Sequence, residues 1–202
     1  TGAVYTEAEF TAIMDWAIAR GLFVLSDEIY DQLVFAPAKM TSAIGWFAKY
    51  PEQVAVLNGL SKSYAMTGWR VGFLAAHPLL IKKISAMQGH STSNICSIAQ
   101  KAGLAALTGS MECVDKMREA FVRRRDMAMK VIEGWPFAIC PKPDGAFYLF
   151  VDVRKCFGGA VNNSTELCTW LLDKAHVALV PGAAFGDDNC IRFSYAVADE
   201  VL

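Results

Sequence analysis

The sequence predicts an α/β architecture: a piece of a mostly parallel sheet with flanking helices, followed by a smaller α/β domain. Two observations carry that prediction. Short, wholly apolar runs recur at 22–25, 54–57 and 71–76, each ending beside polar or small residues. A fully apolar strand is what a parallel sheet covered on both faces produces, and helices must supply the cover. Beyond Gly134-Trp135-Pro136 the pattern changes, and helix-like and strand-like stretches alternate within a short span.

In chain order, residues 6–20 carry Phe10, Ile13, Met14, Ala17 and Ile18 at helical spacing, with Thr6 as N-cap and Gly21 as the stop. The apolar run 22–25 follows as a strand that ends at Ser26-Asp27-Glu28, and 54–57 and 71–76 are read as its neighbours. Residues 78–87 are read as a helix, because Pro78 suits a first turn, and 95–107 as another, stopped by Gly109. The longest predicted helix, 111–132, has an apolar stripe of Val114, Met117, Phe121, Ala128 and Val131. Its other face, with Arg118, Arg123, Arg124, Arg125 and Asp126, reads as a solvated charge run. Strands are expected at 146–153, 177–180 and 190–195, and a helix at 165–175. The long helix is taken as a bridge, with domains at 1–115 and 116–202.

Composition narrows the function. Of the 202 residues 54% are hydrophobic and 19% charged, enough for a sizeable core. Nineteen Lys and Arg balance 20 Asp and Glu, for a net charge of −1. Nucleic acids and anionic membranes want clustered positive charge, so neither is an expected partner. No apolar run reaches membrane-spanning length. The six cysteines form no CxxC pair and the three histidines no HExxH pair, so no metal site is expected. Isolated cysteines in an apolar chain read as small core residues of a reducing, cytoplasmic compartment. The chain opens at Thr1-Gly2 and stops at ADEVL (198–202), which reads as the start of a helix, so both ends are expected to lie inside a longer protein.

Three stretches concentrate chemistry. In NGLSKSYAMTGWRVG (58–72), between two apolar runs, Ser61, Lys62 and Arg70 would converge if the loop folds back. An amine, a guanidinium and a hydroxyl suit a phosphate, or a phosphate-bearing cofactor with a reactive carbonyl. The same residues also suit a plain surface loop. Asp27 and Tyr30 leave the end of the first strand and either face one cofactor ring or form an ordinary polar strand terminus. Arg192 is a lone charge in an apolar strand, so it is either paired structurally or holds an anionic ligand. Gly68 and Gly72 read either as relief of crowding near a ligand or as ordinary turn glycines. Phe147 and Tyr148 read as core strand residues.

Taken together these stretches resemble the class I/II aminotransferases, pyridoxal-phosphate enzymes of fold type I. The resemblance runs from TGAVY (1–5) through SDEIYDQLVF (26–35), GLSKSYAMTGWRVGF (59–73), PDGAFYLFVD (143–152) and VPGAAFG (180–186) to IRFSYA (191–196). AMTGWR is similar to the bacterial-type aspartate aminotransferase branch. The resemblance implies the C-terminal half of an enzyme with the aspartate-aminotransferase-like fold: part of the large cofactor-binding domain over 1–115, then a truncated small domain. It implies pyridoxal 5'-phosphate as cofactor, amino acid and 2-oxo acid substrates, and a homodimer in the full-length protein.

The resemblance also implies roles. Lys62 forms a Schiff base with the pyridoxal aldehyde, which only a primary amine does reversibly, and then moves a proton. Asp27 keeps the pyridine nitrogen protonated, and Tyr30 hydrogen-bonds the phenolic oxygen. Arg70, eight residues after Lys62, takes the phosphate with Ser61. Gly59 stands where some family members place a phosphate-binding serine. Arg192 holds the substrate α-carboxylate with its bidentate fork. Lyases that cleave carbon–sulfur bonds and aminocyclopropane-carboxylate synthases share these motifs, so lyase chemistry is the alternative activity. An inactive partial product is the non-enzyme alternative.

Overall fold

The computed structural model describes all 202 residues, Thr1–Leu202. They form two compact units, one of Tyr5–Lys116 and one of Thr1–Val4 with Met117–Leu202.

The first unit starts with α1, Glu7–Ala19. A capping box makes this start definite: the Glu9 amide donates to the Thr6 hydroxyl, and the Glu9 carboxylate accepts from the Thr6 amide at 2.8 Å. Strand β1 (Val24–Asp27) follows, then a short helix α2 (Ile44–Lys49), β2 (Val54–Gly59) and β3 (Gly72–Ala75). Strand β1 pairs in parallel with β2, Val24 opposite Val54 and Asp27 opposite Leu57. Their carboxyl ends therefore share one edge of the sheet. Met14, Ala43, Val54 and Val56 form the core, with Phe10, Ile18 and Trp46 packed around it.

Two features depart from the sequence reading. Strand β3 runs antiparallel to β2, with Gly59 opposite Gly72, so this sheet is mixed. The connection between them is closed by a Leu60 amide to Val71 carbonyl bond and holds only a 3₁₀ turn, Thr67–Trp69. It contains no α-helix to carry the chain across the sheet face, which a parallel partner usually requires. Strand β1 also lies at the sheet edge, with Leu25 57% exposed while Val24 packs on the core, so its all-apolar run is covered on one face only. The helices α3 (Pro78–Ser91) and α4 (Ser97–Thr108) form where the periodicity places them.

Helix α5, Glu112–Glu133, contains the division between units. In the second unit β4 (Tyr148–Asp152), α6 (Ser164–Ala175), β5 (Val180–Pro181) and β6 (Cys190–Ser194) build an antiparallel sheet of order β4-β6-β5. Thr1–Val4 belongs here because the Gly2 carbonyl accepts from the Asp144 and Gly145 amides at 2.9 and 3.0 Å. The charged stripe of α5 is not simply solvated. Arg125 is buried, donating to Asp126 at 2.9 Å and to the Pro143 carbonyl at 3.2 Å, and so holds the turn that leads into β4. Arg123 and Arg124 grip the Asp199 carboxylate, and first Arg124, then Arg123, hold its carboxyl below the usual range.

Only Cys168 and Cys190 of the six cysteines are buried, which corrects the reading of all six as core residues. Burial, and then the Asp187 carboxylate, push the Cys190 thiol up to about 11. No helix is long and apolar enough to cross a membrane, and no group of three or more His, Cys, Asp or Glu could hold a metal ion.

Candidate active site

The candidate residues fall into two groups, one in each unit. In the first unit Asp27 is the last residue of β1. Its Oδ1 accepts from the Ile29 amide at 3.1 Å, an Asx-type turn that bends the chain off the sheet edge. The Glu28 amide donates to the Leu57 carbonyl at 2.8 Å, which ties this turn to β2. Glu28 itself points inward and is buried, its carboxylate accepting from Ser26, Ser42 and the Ala43 amide. The turn thus separates an exposed Asp27 from a structural Glu28, and Tyr30 follows at its crest.

Residues 60–66 leave the end of β2 as a tight turn in which the Tyr64 and Met66 amides both donate to the Leu60 carbonyl, at 3.3 and 3.2 Å. This turn carries Lys62, whose Nζ stands 5.9 Å from the centroid of the Tyr30 ring, within cation–π range. The structure therefore brings Lys62 and Tyr30 together. Thr67 donates its hydroxyl to the Ser61 carbonyl at 2.9 Å, folding the loop back on itself. Arg70 is left-handed, φ 55° and ψ 47°, and exposed, with Nη1 donating to the Thr67 carbonyl at 3.1 Å.

A close backbone approach explains Gly59. A Cβ there would stand 2.9 Å from the Val71 carbonyl and 3.0 Å from Ile29 Cδ1. A Cβ on Gly68 would meet nothing within 4 Å, so crowding does not account for that glycine.

In the second unit Arg192 lies in the central strand β6, opposite Phe150 on one side and Val180 on the other. Its guanidinium carbon is 4.3 Å from the ring centroids of both Tyr148 and Phe185. Both rings lie within cation–π range of the guanidinium, whose fork of donors suits a planar carboxylate. Tyr148 is thus more than a core residue, a role that strand periodicity alone could not reveal.

Phe185 reaches Arg192 from the 3₁₀ turn Gly182–Phe185. Buried Ser164 anchors that turn, donating to Asp188 at 2.6 Å and accepting from the Ala183 amide at 3.3 Å. A Cβ on Gly182 would collide with the Asp187 and Cys190 carbonyls. Both obstacles are backbone, so Gly182→Ala is expected to destabilise the protein by about 3 kcal/mol or more. A thermal melt checks this, and an unchanged midpoint would contradict the packing described.

The fold and site define a class before any comparison: an α/β protein with a lysine and a phenol paired at the carboxyl edge of a sheet. A family model described as aminotransferase class I and II matches residues 1–202. The chain is 41% identical over its whole length to an aspartate aminotransferase of Streptomyces avermitilis, covering 51% of that protein. Among solved structures it superposes on the aspartate aminotransferase from Rhizobium meliloti with a TM-score of 0.91 at 31% identity, covering 99% of this chain and 52% of that one. An aromatic aminotransferase from Pyrococcus horikoshii gives 0.90 at 34%, covering 99% of this chain and 53% of that one. The chain spans about half the length of the curated relatives it matches. It belongs to the class I and II aminotransferase family.

Proposed function

We propose that the protein transfers an amino group between an amino acid and a 2-oxo acid with pyridoxal 5'-phosphate as cofactor. The single observation that carries this reading is Lys62 Nζ 5.9 Å from the Tyr30 ring, on turns leaving adjacent parallel strands. Family membership supports it, and the similarity to aspartate aminotransferases favours aspartate as donor. Residues 1–115 are then the cofactor-binding part and 116–202 the small domain, a division supported by the compact units Tyr5–Lys116 and Thr1–Val4 with Met117–Leu202. A homodimeric assembly and a cytoplasmic location belong to the same proposal.

The donor set fits the cofactor group by group. Lys62 offers a primary amine to the aldehyde, Asp27 a carboxylate to the ring nitrogen, and Tyr30 a phenol to the ring oxygen. Arg70 and Ser61 offer a charge-assisted donor and a hydroxyl to the phosphate. When bound, pyridoxal phosphate supplies an electron sink for charge developing at the substrate α-carbon. The protein's part is proton handling and orientation. Lys62 would take the proton from the substrate α-carbon and, once protonated, would give it up again as an acid, so the same amine would serve as base and then acid. Asp27 keeps the ring nitrogen protonated. Arg192 would bind the substrate α-carboxylate through its guanidinium.

Adding pyridoxal phosphate is expected to give a visible absorption band that Lys62→Ala abolishes. A band that survives the substitution would reject the lysine assignment. Amino transfer to a second 2-oxo acid, rather than pyruvate with ammonia, separates transaminase from lyase.

A further inference from the structure

Beside Lys62 and Tyr30 lies a carboxylate for which the chemistry above has no use. Asp31 follows Tyr30 directly, and Ser63 follows Lys62. The Ser63 hydroxyl, 1% exposed, donates to Asp31 Oδ1 at 2.9 Å. Asn58 Nδ2, at the end of β2, donates to Asp31 Oδ2 at 3.1 Å. Gln32 donates its amide to Oδ1 at 2.8 Å and its Nε2 to Oδ2 at 3.1 Å. Each carboxylate oxygen thus accepts two hydrogen bonds, and a carboxylate has about four such places.

The Asn58 orientation is dictated as well. Its Oδ1 accepts from the Gly59 amide at 2.7 Å, so its nitrogen must point at Asp31 and needs an acceptor there. The Asp31 carboxylate supplies that acceptor. One carboxylate ties the end of β2, the Lys62 turn and the Tyr30 turn into a single network.

We propose that Asp31 is a positioning residue: by clamping Asn58 and Ser63 it fixes where the Lys62 amine stands relative to the Tyr30 phenol. This rests on the reading of Lys62 and Tyr30 as the groups that meet the cofactor. Asp31 touches neither substrate nor cofactor in this account and acts through the two turns. A structural clamp alone would affect folding, whereas a positioning clamp alters the chemistry of a correctly folded protein.

The test compares the wild type with Asp31→Asn and Ser63→Ala in the protein loaded with pyridoxal phosphate. Asp31→Asn keeps the volume but puts an amide NH2 where a carboxylate oxygen accepts two hydrogen bonds. Its kcat is expected to fall about tenfold, because displaced reacting groups lose alignment, with KM changing less than about twofold. The pH midpoint of the Lys62-dependent absorption band is expected to move, because the spacing of amine and phenol changes. Without cofactor, amides 60–66 are expected to exchange hydrogen faster than in the wild type. Ser63→Ala should show the same changes to a smaller degree, and it carries the test if Asp31→Asn does not fold.

A lowered melting temperature with an unchanged pH midpoint and unchanged kcat per folded molecule would overturn the proposal. If the wild type itself shows no such band, the proposed function fails. The exchange of amides 60–66 would then still report on the clamp, and wild-type exchange rates in both variants would overturn that too.

Discussion

Lys62→Ala is expected to lower amino-group transfer by about 10²–10⁴-fold, the range typical of removing a positioned acid–base group. No neighbouring side chain in the turn can replace it. Ser61 and Ser63 carry hydroxyls, Ser63 is committed to Asp31, and Tyr64 directs its hydroxyl to Met111 Sδ at 3.4 Å. The variant should fold normally, because the turn is held by backbone bonds to the Leu60 carbonyl rather than by the lysine side chain. Single-turnover transfer with saturating amino acid is the measurement. A small primary amine added in solution should restore part of the rate, since it can take up the proton that the lysine no longer accepts. Turnover within about twofold of wild type would remove Lys62 from the mechanism.

Arg192→Lys carries the second large effect. Lysine keeps the charge but loses the planar fork that lies 4.3 Å from the ring centroids of Tyr148 and Phe185. The α-carboxylate then loses one of two charge-assisted bonds, each worth about 1.5–3 kcal/mol. A fall in kcat/KM of about 10–100-fold is expected, mostly through KM, because the carboxylate is bound in ground and transition states alike. Steady-state kinetics with a series of amino acids checks this. An equal loss for every amino acid fits a contact to the shared carboxylate, whereas a loss confined to acidic donors would move Arg192 to side-chain recognition.

Much of the fold is legible in the sequence because its signals are local. The α1 boundaries follow from Thr6 and Gly21, and the α5 stripe from helical periodicity. What escapes is set by pairing. The antiparallel β3 depends on how the 60–71 connection folds back, and an apolar run alone does not tell a doubly covered strand from β1 at the sheet edge. The short α2 lacks a side-chain cap, so it carries no start signal. The arginines of α5 show the same limit, since burial of Arg125 depends on a carbonyl 18 residues away.

The candidate site divides in the same way. Lys62, Tyr30, Asp27 and Arg70 stand out because reactive side chains crowd short motifs. Asp31, Asn58 and Ser63 do not, because Asp31 lies 27 and 32 residues from its partners and each is an ordinary polar residue in isolation. Tyr148 and Phe185 are hidden for a related reason. Both are aromatic residues in apolar company, and only the fold places Arg192 against their rings.

The central claim is that Lys62 is the residue that bonds pyridoxal phosphate. Incubating the protein with the cofactor, reducing with borohydride and mapping the peptides by mass tests it directly. The account predicts one stable label, on Lys62. A label on Lys82, Lys83 or another lysine with Lys62 unmodified would contradict it.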